Sequence, residues 1–264
     1  MGFLSDLLTR VRSDLAERPL DEAGLRILAA AAPAPRNLGW VLRGYAAEAG
    51  VALIAEVKRA SPSAGAIAPE ADPVLQATAY DVAGAAAISV LTEGRHFGGS
   101  LEDLRAVRAA VEHPVLRKDF LVDPSQIAEA RAAGADSVLL IAAALPGGEL
   151  GRMLSAAREL GMEPLVETHS DDDLERAVAS GAEVVGVNAR DLETLTVDPE
   201  AARARLRRIP ADRVGVLESG VATRDDVRSA VDAGASAVLV GEALMRAADP
   251  VRKVRELIGQ EPEG

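Results

Sequence analysis

"AGADSVLLI" (Ala133–Ile141) reads as the end of a helix running straight into a buried strand. A glycine among small residues suits a helix C-terminus, where the chain turns through the left-handed backbone region. The run that follows is short, continuous and apolar, as in a strand covered on both faces. The pattern recurs as "AGAAAISVL" (Ala83–Leu91), "SGAEVVGV" (Ser180–Val187) and "AGASAVLV" (Ala233–Val240). Its glycines stand at 84, 134, 181 and 234, so successive copies are 50, 47 and 53 residues apart. A regular period of this kind marks a repeated supersecondary unit.

Between the copies lie four more apolar runs, "VALIAEVK" (51–58), "HPVLRKDF" (113–120), "MEPLVETH" (162–169) and "RVGVLESG" (213–220), which brings the strands to eight. Stretches of helical periodicity follow them. "DPVLQATAYDVAG", "SLEDLRAVRAAV", "DPSQIAEARAAG" and "TRDDVRSAVDAG" open on Asp, Ser or Thr at an N-cap, two of them with Pro at the first helical position. Eight strand-helix units in about 210 residues predict an α/β fold of the (β/α)8 TIM-barrel type. A doubly wound open sheet would more often carry a glycine-rich dinucleotide turn after its first strand, and "EVKRASPSAG" (56–65) contains no GxGxxG. Residues 1–264 are read as a single barrel domain, of which 1–48 form an N-terminal helical extension carrying Trp40, the only tryptophan. Such an extension either caps the bottom of the barrel or folds over its mouth.

The 264 residues are 48% hydrophobic, enough for a large core, and 41 acidic against 29 basic residues give a net charge of -12. That balance disfavours nucleic acid and anionic membrane surfaces as partners, so an anionic ligand needs a local site. With no cysteine, disulfides, thiolate metal sites and cysteine nucleophiles are excluded, and three scattered histidines do not suggest a metal centre. The opening "MGFLSDLLTRVRSDLAERP" lacks an apolar run long enough for a signal peptide or a membrane span, so a soluble, cytoplasmic protein is expected.

In such a barrel the chemistry sits at the carboxyl ends of the strands. Here the first strand ends in Glu56 and Lys58, the third in Lys118, the fifth in Glu167, the sixth in Asn188 and Arg190, the seventh in Glu218 and Ser219. One charged residue at a strand end is ordinarily a solvated loop residue, but five strands ending this way converge on one mouth, where acid-base groups with shifted pKa values are expected. Strand alternation puts Lys118 and Phe120 on one face and turns Arg117 and Asp119 toward the surrounding helices. Gly220 and Gly241, directly after the seventh and eighth strands, either let the chain turn or offer backbone N–H groups to a phosphate, with Ser61 and Ser63 adding hydroxyls. Aromatic residues are 2% of the chain. Phe97 and Phe120 fall on the active face, to pack an apolar part of a substrate or to plug the barrel top.

In order and spacing, "IAEVKRASPS", "SVLTEGRHFGGS", "VLRKDFLVD", "LLIAAAL", "PLVETHS", "GVNARDL", "ESGV" and "VLVGEALM" resemble the indole-3-glycerol phosphate synthase family, from the N-terminal helices to "ALMRAADP". The resemblance implies a carboxy-lyase of tryptophan biosynthesis acting on 1-(2-carboxyphenylamino)-1-deoxyribulose 5-phosphate, without cofactor or metal. It implies Lys118 as the general acid on the substrate carbonyl, Glu167 in proton transfer at dehydration, and Lys58 steering the substrate carboxylate and sharing acid duty. Glu56, Asn188, Arg190 and Glu218 would orient these lysines and the substrate hydroxyls. Ser61, Gly220, Gly241 and the backbone of Glu242 would hold the phosphate, Ser219 would lie near the ring, and Phe97 and Phe120 would line the anthranilate pocket. Departures from the family pattern are Ala64 where a lysine is frequent, Leu217 where a small residue is common, and Glu242 where Ser or Thr is frequent. An acidic Glu242 side chain must point away from a phosphate. Phosphoribosylanthranilate isomerase is the nearest rival, but its usual acid-base pair includes a cysteine. A barrel that binds a phosphosugar without chemistry would not need Lys58, Lys118 and Glu167 together. For Lys118, burial beside Lys58 lowers the pKa and flanking glutamates raise it, so distances decide. With no evident exposed apolar stripe, a monomer is expected.

Overall fold

A computed structural model describes residues 2–260; Met1 and residues 261–264, the ends of the single-domain reading, lie outside the described residues. Eight parallel strands close into a barrel: β1 (Ala52–Val57), β2 (Ala87–Leu91), β3 (Val115–Lys118), β4 (Ser137–Ile141), β5 (Leu165–Thr168), β6 (Val184–Asn188), β7 (Val214–Glu218) and β8 (Ala237–Val240). Each pairs with its neighbours in chain order, and β1 closes the circle by pairing Ala52 with Ala237 of β8 and Ile54 with Ala87 of β2. The expected (β/α)8 barrel is therefore present. All eight are buried throughout, apart from Lys118 at the end of β3, as continuous apolar runs between a barrel interior and a helical coat must be.

Local chemistry fixes the units. The four repeat glycines, 84, 134, 181 and 234, have φ of 102°, 95°, 79° and 99°, the left-handed turn that ends each helix and starts the next strand. Asp72, Ser100, Asp123 and Thr223 accept hydrogen bonds from N–H groups in the first turn of their helices. At Asp123 and Thr223 the bonding is reciprocal with Gln126 and Asp226, so two exposed donors are satisfied at each start.

The extension does both things its sequence left open. Helix α1 (Phe3–Glu17) lies on the active face: Ser5 Oγ donates to Glu193, Arg12 to the Ala144 carbonyl, and Phe3 stands edge-on to His96 with ring centres 5.2 Å apart. The chain then descends the side of the barrel, where Arg131 donates to the carbonyls of Ala32 and Pro33 after α2 (Glu22–Ala31). Helix α3 (Leu38–Ala49) closes the opposite end, with Leu38 and Leu42 fully buried and Arg43 bonded to Glu183 and the Asp212 carbonyl, just ahead of β6 and β7. Trp40 on α3 faces outward, 75% exposed. Asp136, wholly buried ahead of β4, accepts from the Arg36 and Val115 backbones and pairs with Arg108, tying the extension to the barrel floor.

Candidate active site

Strand β3 answers why an apolar strand ends in charge. Arg117 turns outward, as alternation predicts, and its buried guanidinium meets Asp119, Glu129, Thr92 Oγ1 and the Gln126 carbonyl. That network anchors the strand end to the helix behind it. Lys118 turns inward, its Nζ 3.3 Å from Glu167 Oε2 on β5 and 3.6 Å from Glu218 Oε2 on β7. Just after β1, Lys58 Nζ lies 2.9 Å from Glu56 Oε1, and Ser89 of β2 donates to the other oxygen of Glu56 at 3.4 Å. Glu56, Glu167 and Glu218 are almost wholly out of water, and Lys118 keeps 15% of its side chain exposed.

These distances decide the pKa contest at Lys118. Burial opposes its charge, yet the facing carboxylates of Glu167, Glu218 and Glu56 outweigh burial and hold the ammonium well above the ordinary lysine range. Burial also pushes Glu167 up, but Lys118 and then His169 overcome it and keep that carboxyl well below its usual value. Glu218 goes the other way: burial first and the Glu167 charge second raise it well above 4.5, against the pull of Lys118. One lysine thus serves two carboxyls, and the pairing drives their proton affinities apart, Glu167 down and Glu218 up.

The sign of this pairing yields a testable pH dependence. A carboxyl with a raised folded pKa contributes stability that is complete below its ordinary value of 4.5 and lost as pH rises through the folded value. Glu218→Gln removes that loss and leaves Glu167 in place. The variant is therefore expected to gain stability relative to wild type as pH rises from 5 to 9, measured by urea unfolding across that range; a constant difference would contradict it.

The mouth opens into a cavity of about 460 Å³ lined by every site residue expected from the sequence, Ser63 included. Glu56, Lys58, Lys118, Glu167, Asn188 and Glu218 lie in its wall, with Arg190 beside them. Asn188 Oδ1 accepts from the Arg190 backbone at 2.9 Å, and the Arg190 guanidinium donates to the Leu195 carbonyl, so the loop after β6 is tied to itself. Ser61, in a short hairpin (Ala60–Ser61 with Gly65–Ala66), accepts from the Ala64 N–H at 3.2 Å. Ser219 and Gly220 have φ of 65° and 73°, two successive left-handed residues; at Ser219, a non-glycine, that conformation is strained. Phe97 and Phe120 face each other at 6.2 Å between ring centres and form wall, with the cavity open beside them. Glu242 pairs with Arg246 one turn later, 3.0 Å away.

Sequence reasoning missed several contributors. Phe3 reaches the cavity from α1, and Arg246 from just after the short helix Glu242–Met245. Two glycines make room for charge. A Cβ on Gly241 would lie 2.6 Å from Glu56 Oε1 and 3.2 Å from Lys58 Nζ, so this glycine also accommodates the ion pair on β1. A Cβ on Gly186, inside β6, would collide with Glu218 Oε1. Gly186→Ala is expected to lower kcat/KM roughly 10- to 100-fold by displacing Glu218, as small misplacements of reacting groups do; unchanged steady-state kinetics would contradict this.

Fold and mouth define a (β/α)8-barrel enzyme with buried charged and polar side chains gathered at the carboxyl ends of β1, β3, β5, β6 and β7. The sequence model of the indole-3-glycerol phosphate synthase family matches residues 4–257. Similar proteins include indole-3-glycerol phosphate synthases of Micrococcus luteus, 52% identical over 97% of this chain and 96% of that protein, and of Nocardioides sp., 52% identical over 99% and 100%. That of Mycobacterium ulcerans is 49% identical over 97% and 93%. This chain belongs to the indole-3-glycerol phosphate synthase family. Among solved structures, 3-hexulose-6-phosphate synthase superposes with a TM-score of 0.63 at 18% identity, covering 80% of this chain and 99% of that one. Thiamine phosphate pyrophosphorylase from Pyrococcus furiosus gives 0.59 at 18% identity over 78% and 93%. Both likenesses concern the barrel fold.

Proposed function

We infer that this chain is a carboxy-lyase that converts 1-(2-carboxyphenylamino)-1-deoxyribulose 5-phosphate to indole-3-glycerol phosphate in tryptophan biosynthesis. The observation that carries the reading is the charged Lys118 held between Glu167 and Glu218 at the wall of a cavity that also holds the Glu56–Lys58 pair. In the proposed sequence the aryl carbon bearing the carboxylate attacks the ribulose carbonyl, and Lys118 gives its proton to the carbonyl oxygen as that oxygen gains charge. An alkoxide is a far stronger base than an amine, so even a firmly held lysine proton is transferred readily. Carbon dioxide then leaves, and its bonding electrons restore the aromatic ring. The new hydroxyl departs as water while Glu167 handles the proton released as the pyrrole double bond forms.

Lys58 steers the substrate carboxylate and is available as a second acid, with Glu56 holding it in place. Asn188, Arg190 and Glu218 orient substrate hydroxyls and Lys118. The phosphate is assigned to Ser61 and the backbone at Gly220, Gly241 and Glu242; the Glu242 side chain is occupied by Arg246 and so need not repel it. Ser219 sits near the ring, and Phe97 and Phe120 hold the anthranilate portion. The proposal calls for one barrel domain acting as a cytoplasmic monomer without nucleic-acid partners, and a dimer mass on sedimentation would overturn the monomer. No helix among the described residues is long and apolar enough to cross a membrane.

Substrate labelled with carbon-13 in the aryl carboxylate tests the reaction. One labelled carbon dioxide per indole formed is expected, and label retained in the product would overturn the reading.

A further inference from the structure

Near their carboxyl ends β1, β5 and β6 each carry a polar residue followed two places on by a basic one: Glu56 and Lys58, Glu167 and His169, Asn188 and Arg190. Strand alternation alone would put both members of each pair on the same face. Lys58 and Arg190 line the cavity, whereas His169 does not. It lies behind Glu167, with 11% of its side chain exposed and Nε2 3.1 Å from Glu167 Oε1. The other carboxylate oxygen, Oε2, is the one that meets Lys118. Glu167 is therefore held between a lysine in the cavity and an imidazole outside it.

The imidazole is otherwise unengaged. Nδ1 and Nε2 are both buried without an aligned hydrogen-bond partner among the described residues, and so is Glu167 Oε2. Buried polar atoms left this way call for an explanation, and an active site in its resting arrangement is a common one. The backbone around His169 is well fixed. Thr168 Oγ1 donates to the Gly186 carbonyl at 2.8 Å, the His169 N–H donates to Asp173, and Ser170 and Asp173 cap the next helix reciprocally. What remains adjustable is the alignment of the ring on Glu167.

We propose that His169 is the positioning residue of Glu167, its Nε2–H closing on Oε1 to hold the carboxylate with Oε2 turned toward Lys118 and the substrate. This rests on the assignment of Glu167 to proton transfer. His169 does not touch the reacting atoms; it acts through Glu167. The charged groups facing Glu167 are Lys118 from β3, Glu218 from β7 and Glu56 from β1. Those near His169 besides Glu167 are Asp191, after β6, and Asp173, which pairs with Arg176. Asp191 holds N–H and hydroxyl donors of Glu193 and Thr194 on Oδ1, whereas Glu167 Oε1 lies 3.1 Å from Nε2, so Glu167 is the carboxylate placed to take the imidazole N–H.

The test compares His169→Leu and His169→Gln with wild type. Leu removes the donor, and kcat is expected to fall about 10- to 100-fold with KM within about twofold, as loss of an outer orienting partner does at other sites. The acidic limb of the kcat profile should move to higher pH, because Glu167 loses a group that stabilises its charge. Gln can place an N–H near the position of Nε2 and should restore kcat to within about threefold of wild type. Nitrogen-15 spectra give a readout independent of turnover, since the chain has only three histidines. The His169 Nε2 signal should indicate a protonated, hydrogen-bonded nitrogen and change on Glu167→Gln, while His96 and His113 stay unchanged. Wild-type kinetics in His169→Leu, equal losses in both His169 variants, or a His169 signal indifferent to Glu167→Gln would each overturn the proposal. Absence of turnover in wild type would instead overturn the functional reading, and the spectra would still decide the Glu167–His169 contact.

Discussion

Lys118→Met is expected to lower kcat by at least about 10³-fold, because it removes both the proton donor and the positive charge beside the developing alkoxide. The side chains are similar in length and the strand end is anchored from behind by Arg117, so the fold should survive. What changes is the charge balance among buried groups. Without the ammonium, Glu167 and Glu218 face each other uncompensated, and the Glu218 carboxyl, no longer held down by Lys118, is raised further. Substrate should remain bound through its phosphate and carboxylate. Equilibrium binding close to that of wild type, with product formation nearly abolished, is the expected combination. Turnover within tenfold of wild type would remove Lys118 from its role.

Glu167→Gln is expected to reduce kcat by about 10² to 10⁴-fold, the usual contribution of a positioned proton-transfer group. Glutamine fills the same space but neither accepts nor releases a proton in the working range. Its effect on the rest of the site differs from that of Lys118→Met. Removing the Glu167 charge relieves the repulsion that raises Glu218, which then ionises more readily and becomes the main partner of Lys118. Lys118 therefore keeps a facing carboxylate, the Glu56–Lys58 pair is untouched, and KM should change little. Steady-state rates with single-turnover traces separate the steps: if Glu167 acts at dehydration, a decarboxylated ring-closed species should accumulate in the variant. Unimpaired dehydration with slow ring closure would reassign Glu167 to the first step.

What was legible in the sequence was mainly what is local. Glycines 84, 134, 181 and 234 announce their strands because the left-handed helix end is a property of a few consecutive residues. Asp72, Ser100, Asp123 and Thr223 announce their helices for the same reason. The candidate residues converge because barrel topology carries every strand end to one face, so knowing the strands was nearly enough to know the mouth. The remainder depends on distances between residues remote in the chain. Whether Lys118 would be lowered or raised turned on how closely Glu167 and Glu218 approach it from β5 and β7. Gly186 looked like any strand residue, and its reason lies on the neighbouring strand in the bulk of Glu218. The path of the extension, from the mouth at Phe3 to the floor at α3, was equally closed to local reading. His169 stood inside a quoted motif, yet only its placement behind Glu167 separates it from an ordinary loop histidine.

The most direct test of the account is to add 1-(2-carboxyphenylamino)-1-deoxyribulose 5-phosphate to the wild-type protein and follow ultraviolet absorbance and fluorescence. The spectrum of an indole should appear with multiple turnovers per protein molecule. Tight binding of the substrate without an indole product would mean that the cavity holds the ligand while Lys118, Glu167 and their neighbours do not perform this reaction.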